Sequence, residues 1–161
     1  MLDIYLKKHR FNGVFLDTNL LLLYLIGSYD PKYINQFKRT SMYTNEDFDF
    51  LKLYVGYFKK VIITPHVLTE LWHFLGKIEN TRFDDFIEIA KRELCILAEN
   101  YIPKNDILLN NSLKYIGVTD LSILLTAALN DCLVITDDFR SYTYYYRQNI
   151  DVININHLRS I

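Results

Sequence analysis

Short runs of consecutive apolar residues alternate with longer stretches of helical periodicity along this chain. Val14-Phe15-Leu16 reads as a buried strand ending at Asp17, and Val61-Ile62-Ile63 as a second. Leu133-Val134-Ile135 reads as a third, running out into Thr136-Asp137-Asp138, and a last strand lies near Val152-Ile153. Thr18 or Asn19 can cap a helix from Leu20 to about Ile26, which Gly27-Ser28 ends. Residues 28–45 mix aromatic and polar groups and read as a loop with a short helix. Phe48, Leu51, Leu53, Tyr54, Val55 and Phe58 then recur at roughly helical spacing up to Lys59-Lys60.

Thr64-Pro65 is a strong helix start, because Thr caps and Pro at the first turn gives up an N–H that had no partner anyway. That helix is expected to reach Leu75 and stop at Gly76. A long helix over about Thr81 to Glu99 follows, with a shorter one between Asn105 and Tyr115. Gly117 breaks the chain, and Thr119 caps a helix to about Asn130. The tyrosine-rich segment Tyr142 to Tyr146 connects the third strand to the last. Strands apolar throughout, separated by helices, predict an α/β fold: a three-layer α/β/α sandwich around a central, mostly parallel sheet.

Composition narrows the class. A length of 161 residues suits one domain spanning 1–161, and a half-hydrophobic chain with 23% charged residues is a folding rather than a disordered one. The formal net charge is -1, so bulk electrostatics lend no support to nucleic-acid binding. Basic residues nevertheless cluster in Lys7-Lys8-His9-Arg10, Lys38-Arg39, Lys59-Lys60 and Lys91-Arg92, which either form solvated faces or build a local positive rim around an acidic centre. Cys95 and Cys132 lie in apolar stretches without a CxxC spacing, so two buried free thiols are expected rather than a zinc site. The charged stretch Leu2 to Phe11 lacks the apolar core of a secretory signal, and the longest near-continuous apolar run, Leu20 to Ile26, is too short to span a bilayer. A cytoplasmic protein with no membrane partner is the expectation.

Acidic residues follow the apolar strands. Asp17 ends the first strand, Asp137 and Asp138 end the third, Asp120 opens a helix, and Glu70 lies about a turn and a half into its helix. In a parallel sheet the carboxyl ends of the strands and the helix starts beyond them share one side, where binding sites gather. An acid at the end of a buried strand is costly unless something compensates its charge, and a divalent cation with a preference for oxygen, Mg²⁺ or Mn²⁺, does so. Taken singly, Asp17 also reads as a turn residue and Asp120 as a first-turn acid, favoured there by about 0.3–1 kcal/mol. His66, Glu70 and His73 share one helix at spacings of four and three, a face able to hold a transition metal, but HExxH is absent and packing histidines are the plainer reading. No glycine-rich phosphate loop and no GxSxG occur.

With these residues in view, the chain resembles the PIN-domain family of small metal-dependent nucleases, which act mostly on RNA. Val14-Phe15-Leu16-Asp17-Thr18-Asn19 is similar to the family's opening strand with its D-T-N motif. Thr64-Pro65-His66-Val67-Leu68-Thr69-Glu70-Leu71 resembles the second motif, and Gly117-Val118-Thr119-Asp120-Leu121-Ser122-Ile123 the third. Val134-Ile135-Thr136-Asp137-Asp138-Phe139 resembles the closing T-x-D stretch. The resemblance runs from about Val14 to Leu158 and implies metal ligation by Asp17, Glu70, Asp120 and Asp138, with Asn19 and Thr136 in support. Asp137 stands where the family often has a non-acidic residue, and it can share or replace the role of Asp138. The interval from Asn19 to Val61 is long for a minimal member and suggests an added loop or helix near the substrate groove.

The resemblance implies an endoribonuclease in which a metal-activated water hydrolyses phosphodiester bonds, with Asp17 and Asp120 as direct ligands and Glu70 and Asp138 on a second ion or its waters. It further implies a single-stranded or structured RNA substrate, a possible toxin role with an antitoxin protein as partner, and a homo-oligomer. Thirteen tyrosines, among them Tyr142, Tyr144, Tyr145 and Tyr146, either stack on unpaired bases or pack the last helix. Two rivals remain: a catalytically inactive RNA- or protein-binding module, and a phosphatase or DNA nuclease using the same acids.

Overall fold

The apolar runs fold into neighbouring strands of one sheet in a computed structural model that describes residues 2–157. In chain order the strands are β1 (Val14–Leu16), β2 (Val61–Ile63), β3 (Ala98–Glu99), β4 (Leu133–Thr136) and β5 (Val152–Asn154). They hydrogen-bond in the order β3-β2-β1-β4-β5, and every pairing is parallel. Phe15 lies opposite Ile62 on one side and Val134 on the other, so β1 is the central strand. Its three residues are buried, as a strand covered on both faces requires. Gly13 leads into it with φ +100°, and a Cβ there would lie 2.8 Å from the Lys60 carbonyl, so only glycine fits this approach to β2.

Helices α1 (Leu2–His9), α2 (Thr18–Tyr29), α3 (Asn45–Val55), α4 (Pro65–Leu75), α5 (Asn80–Cys95), α6 (Lys104–Leu108), α7 (Val118–Asn130) and α8 (Phe139–Arg147) flank the sheet, giving a generic three-layer α/β/α sandwich. The central helix α2 packs on α3, α4 and α5, whereas α7 and α8 pack on β4. Among the described residues no helix is long and apolar enough to cross a membrane. Leu158, where the motif resemblance ends, lies outside the described residues, as do the two ends of the 1–161 span.

Several boundaries differ from expectation, each for a physical reason. Helix α2 is capped by Asp17, whose carboxylate accepts the Leu20 amide at 2.9 Å, not by Thr18 or Asn19. It also runs through Gly27 and Ser28: Gly27 is buried, and a Cβ there would meet the Phe48 ring at 2.3 Å, so this glycine marks a close helix approach and not a stop. Helix α5 ends at Cys95, because Ala98 and Glu99 leave it to pair with Ile62 and Ile63 as an edge strand. The segment from Asn105 to Tyr115 divides into α6 and a 3₁₀ turn at Asn111–Lys114. Gly117, not Thr119, precedes α7, which places Asp120 in the first turn rather than at the start. Cys132 is buried as expected, but Cys95 is exposed, since it falls on the outward side of α5 at its end.

Residues 28–45 contain a 3₁₀ turn at Pro31–Tyr33 and are anchored by buried Tyr33, Ile34, Phe37, Thr40 and Tyr43. The charged N-terminal stretch, unassigned from sequence, forms α1. Its His9 is fully buried, with Nδ1 2.7 Å from the Asp131 carbonyl and Nε2 2.7 Å from Asp151 Oδ2. Lys8 adds an ion pair to the same Asp151 at 2.6 Å.

Candidate active site

From β1 the chain moves to β2 and then β3 on one side, while β4 continues to β5 on the other. The connections leaving the carboxyl ends of β1 and β4 therefore diverge, and a crevice opens between them of the kind where parallel sheets bind ligands. Asp17 stands at the end of β1, and Asp137 and Asp138 stand at the end of β4, on the two sides of that crevice.

Asp17 is 7% exposed and its two oxygens are held by backbone donors: Oδ1 accepts from Leu20 N, and Oδ2 accepts from Asp137 N at 3.0 Å. The nearby Thr136 hydroxyl favours its ionised form. Asp137 receives the Asn19 amide on Oδ1 at 3.2 Å and the Tyr43 hydroxyl on Oδ2 at 2.6 Å. Buried Thr136 accepts the Asp138 amide on Oγ1 at 3.0 Å, which fixes the turn that carries both acids.

The second half of the cluster comes from the helices. Glu70, on α4, accepts the Thr18 hydroxyl at 2.7 Å, which joins α4 to the start of α2. Asp138 caps α8, accepting Arg140 N at 2.7 Å on Oδ1 and the Ser141 hydroxyl at 3.0 Å on Oδ2. Tyr145, fully buried, donates its hydroxyl to the Asp120 carbonyl at 3.0 Å and lies 3.3 Å from Asp120 Oδ1. Buried Thr64 and Ser122 are hydrogen-bonded at 3.0 Å, which ties the start of α4 to α7, the helix that carries Asp120.

Electrostatics report the same proximity. Burial pushes the Asp17 carboxyl well above the usual carboxylate range, and the Asp137 charge adds to this. Asp120 is raised too, first by burial, which the Tyr145 hydrogen bond opposes, and then by the charges of Asp138 and Glu70. The Tyr145 phenol is driven well upward by burial and by Asp120 and Asp17, with Asp138 contributing. The acids thus fall into two interacting sets, Asp17 with Asp137 and Asp120 with Asp138 and Glu70, and the Tyr145 hydroxyl feels Asp120, Asp17 and Asp138.

A hard divalent cation fits this donor set in kind, since it is all oxygen and two of its members carry charge at a cost that a cation relieves. Among the described residues no three His, Cys, Asp or Glu side chains are grouped as they stand to hold an ion. That holds for the carboxylates and equally for His66, Glu70 and His73, whose helix face lines a shallow hollow instead. His73 packs on Phe74 with ring centroids 6.1 Å apart, and His66 Nδ1 is buried without a partner.

Of the residues singled out from sequence, Asp17, Asn19, Thr136, Asp137 and Asp138 follow β1 and β4 or end them, whereas Glu70 and Asp120 come from α4 and α7. Sequence reasoning missed Thr18, Tyr43, Ser141 and the positioning role of Tyr145. Of the four tyrosines considered for base stacking, Tyr145 is excluded by its burial, while Tyr146 is 63% exposed.

The fold and site together define an α/β domain with a parallel five-stranded sheet and an acidic, oxygen-only cluster at its carboxyl edge. Neither a family model nor a curated protein matches the chain. Among solved structures it is similar to a domain of a functionally unknown protein from Methanocaldococcus jannaschii DSM 2661. That similarity is at 16% identity over 88% of this chain and 89% of the other, with a TM-score of 0.47.

Proposed function

We propose that this chain is a PIN-like endoribonuclease that depends on Mg²⁺ or Mn²⁺. What supports the reading is two interacting sets of acids, Asp17 with Asp137 and Asp120 with Asp138 and Glu70, with Thr18, next to Asp17, donating its hydroxyl to Glu70. The motifs around these acids lend the chemistry its direction, because they resemble those of RNA-cleaving metal enzymes. Asp17 and Asp120 would hold the ion directly, and Glu70 and Asp138 a second ion or the coordinated waters, with Asp137 able to share that part. An ion bound there supplies neutralisation of the scissile phosphate and a water of lowered pKa.

The remaining residues position these acids. Thr18 fixes Glu70, Asn19 and Tyr43 fix Asp137, and Tyr145 and Ser141 hold Asp120 and Asp138. The proposed reaction is hydrolysis of a phosphodiester, with water adding to phosphorus and the bond to the 3′ oxygen breaking. It yields a 5′-phosphate and a 3′-hydroxyl, and no side chain becomes a covalent nucleophile. A toxin role with an antitoxin partner and a homo-oligomeric state belong to the same proposal.

The alternative is a noncatalytic binding module that uses the same crevice without cleaving. Single-stranded RNA, single-stranded DNA and a small phosphomonoester, each incubated with Mg²⁺, Mn²⁺ or EDTA, separate the two. The nuclease reading expects metal-dependent RNA cleavage that stops in EDTA. It also expects a fall of about 100-fold or more in Asp17→Asn, as loss of several kcal/mol of transition-state stabilisation implies. Intact RNA under every condition supports the binding module. Cleavage by Asp17→Asn at the wild-type rate removes this acid from the mechanism.

A further inference from the structure

The four basic runs are not distributed evenly about the sheet. Lys7 to Arg10 precede β1, Lys59-Lys60 precede β2 and Lys91-Arg92 precede β3, so all three lie towards the amino ends of the strands, away from the acids. Lys38-Arg39 is the exception. It lines a cleft of about 750 Å³ together with Asn19, Met42, Lys77 and Glu79, and Asn19 is the residue whose amide donates to Asp137. The cleft and the acidic crevice thus share Asn19 as a common wall.

Its charge is uncompensated. Among the described residues no carboxylate pairs with Lys38, Arg39 or Lys77, and the single acid lining the cleft, Glu79, lies 3.9 Å from Arg82 instead. Three cations against one carboxylate make a positive patch on a chain whose net charge is -1. The segment that presents Lys38 and Arg39 is held down by buried Phe37, Thr40 and Tyr43, and the Thr40 hydroxyl donates to the Ile34 carbonyl at 2.8 Å. Arg39 lies 4.0 Å over the Phe74 ring, and Phe74 also lines the hollow that holds Glu70 and His73. This stacked guanidinium thus lies between the cleft that Arg39 lines and the hollow that Phe74 and Glu70 line.

We propose that this cleft grips the phosphate backbone of single-stranded RNA and leads the strand to the acidic crevice, an inference that takes its ligand from the nuclease reading above. Lys38, Arg39 and Lys77 contact successive phosphates, and Met42, 69% exposed at the rim, offers an apolar contact to a base. A volume in the small-molecule range suits a few nucleotides of one strand and not a duplex. An added loop that carries cations thereby supplies the attraction that the acids, as anions, oppose.

Anisotropy of a labelled RNA of about 12 nucleotides in EDTA, across a salt series, tests this for the wild type, K38A/R39A/K77A, Glu79→Gln and Asp17→Asn. All altered side chains of the triple variant are exposed, and circular dichroism confirms that it folds. The triple variant is expected to bind about tenfold or more weakly, with the slope of log K against log salt smaller by about 2, as three lost phosphate contacts on a single strand imply. Glu79→Gln is expected to tighten binding, and Asp17→Asn to retain it.

Unchanged affinity and slope in the triple variant overturn the proposal, as does equal binding of duplex RNA or effective competition by polyglutamate. Absence of binding by both the wild type and Asp17→Asn overturns it as well. If the triple variant binds normally while Asp17→Asn abolishes cleavage, the cleft assignment fails and the nuclease reading survives. If the triple variant loses binding while the wild type never cleaves, the cleft assignment stands and the nuclease reading falls.

Discussion

Asp17 has three duties at one position: it ends a strand, caps a helix and places a carboxylate in a crevice. Each duty alone is ordinary for an aspartate, which is why the acids were legible in sequence only as a set following apolar runs. Their supporting hydroxyls were not legible. Thr18 meets Glu70 across 52 positions, and Tyr43 meets Asp137 across 94, and no local pattern encodes such pairings. Tyr145 is the sharpest case, since a tyrosine in a run of tyrosines carries no sign of which ring turns inward. Tyr145→Phe keeps the ring and removes only the donor to Asp120. On the proposed reading it lowers Mn²⁺ affinity about tenfold, as loss of a partner behind a metal ligand does. It should also cost about 1 kcal/mol of stability. A Mn²⁺ affinity unaltered by the change would make Tyr145 a packing residue only.

At the scale of elements, four of five strands were readable because continuous apolar runs flanked by helical periodicity have few alternatives. The two-residue β3 was absorbed into the expected helix, since Leu94, Ile96 and Leu97 continue an apolar pattern through its end. Helix α1 was invisible for the opposite reason. Its charged sequence has no strong apolar face, and it is fixed by His9 and Lys8 to Asp151 beside β5. That clamp gives a pH-dependent prediction. Burial raises the Asp151 carboxyl, but the hydrogen bonds from Lys8 and His9 outweigh it and leave the group below its ordinary value of 3.8. A lowered folded-state value means that the ionised form contributes stability above the unfolded value, and that this is lost as pH falls through the folded one. Asp151→Asn should therefore lower the urea midpoint by the equivalent of roughly 1 kcal/mol at about pH 7, discounted for the partial exposure of the pair. The difference should shrink as pH is taken below 3.8 and through the lowered folded-state value. A difference that stays constant over that range would show the clamp to be one of shape and not of charge.

The whole molecule separates its charges by the direction of its strands. The acids of the candidate site follow the carboxyl ends of the strands, three of the four basic runs precede strands, and one basic pair, Lys38-Arg39, lines the cleft that shares Asn19 with that site. Net charge near zero conceals this arrangement, so composition alone lent no support to a polyanionic partner, and the proposal of one rests on the placement of Lys38 and Arg39. The proposed chemistry asks the crevice to capture a divalent cation, and calorimetric titration of Mn²⁺ into the metal-free protein measures that capture without reference to any substrate. Saturable binding by the wild type, weakened about tenfold or more in both Asp17→Asn and Asp120→Asn, is the predicted result. A wild type that binds no Mn²⁺, or variants that bind it as tightly as the wild type, would contradict the account.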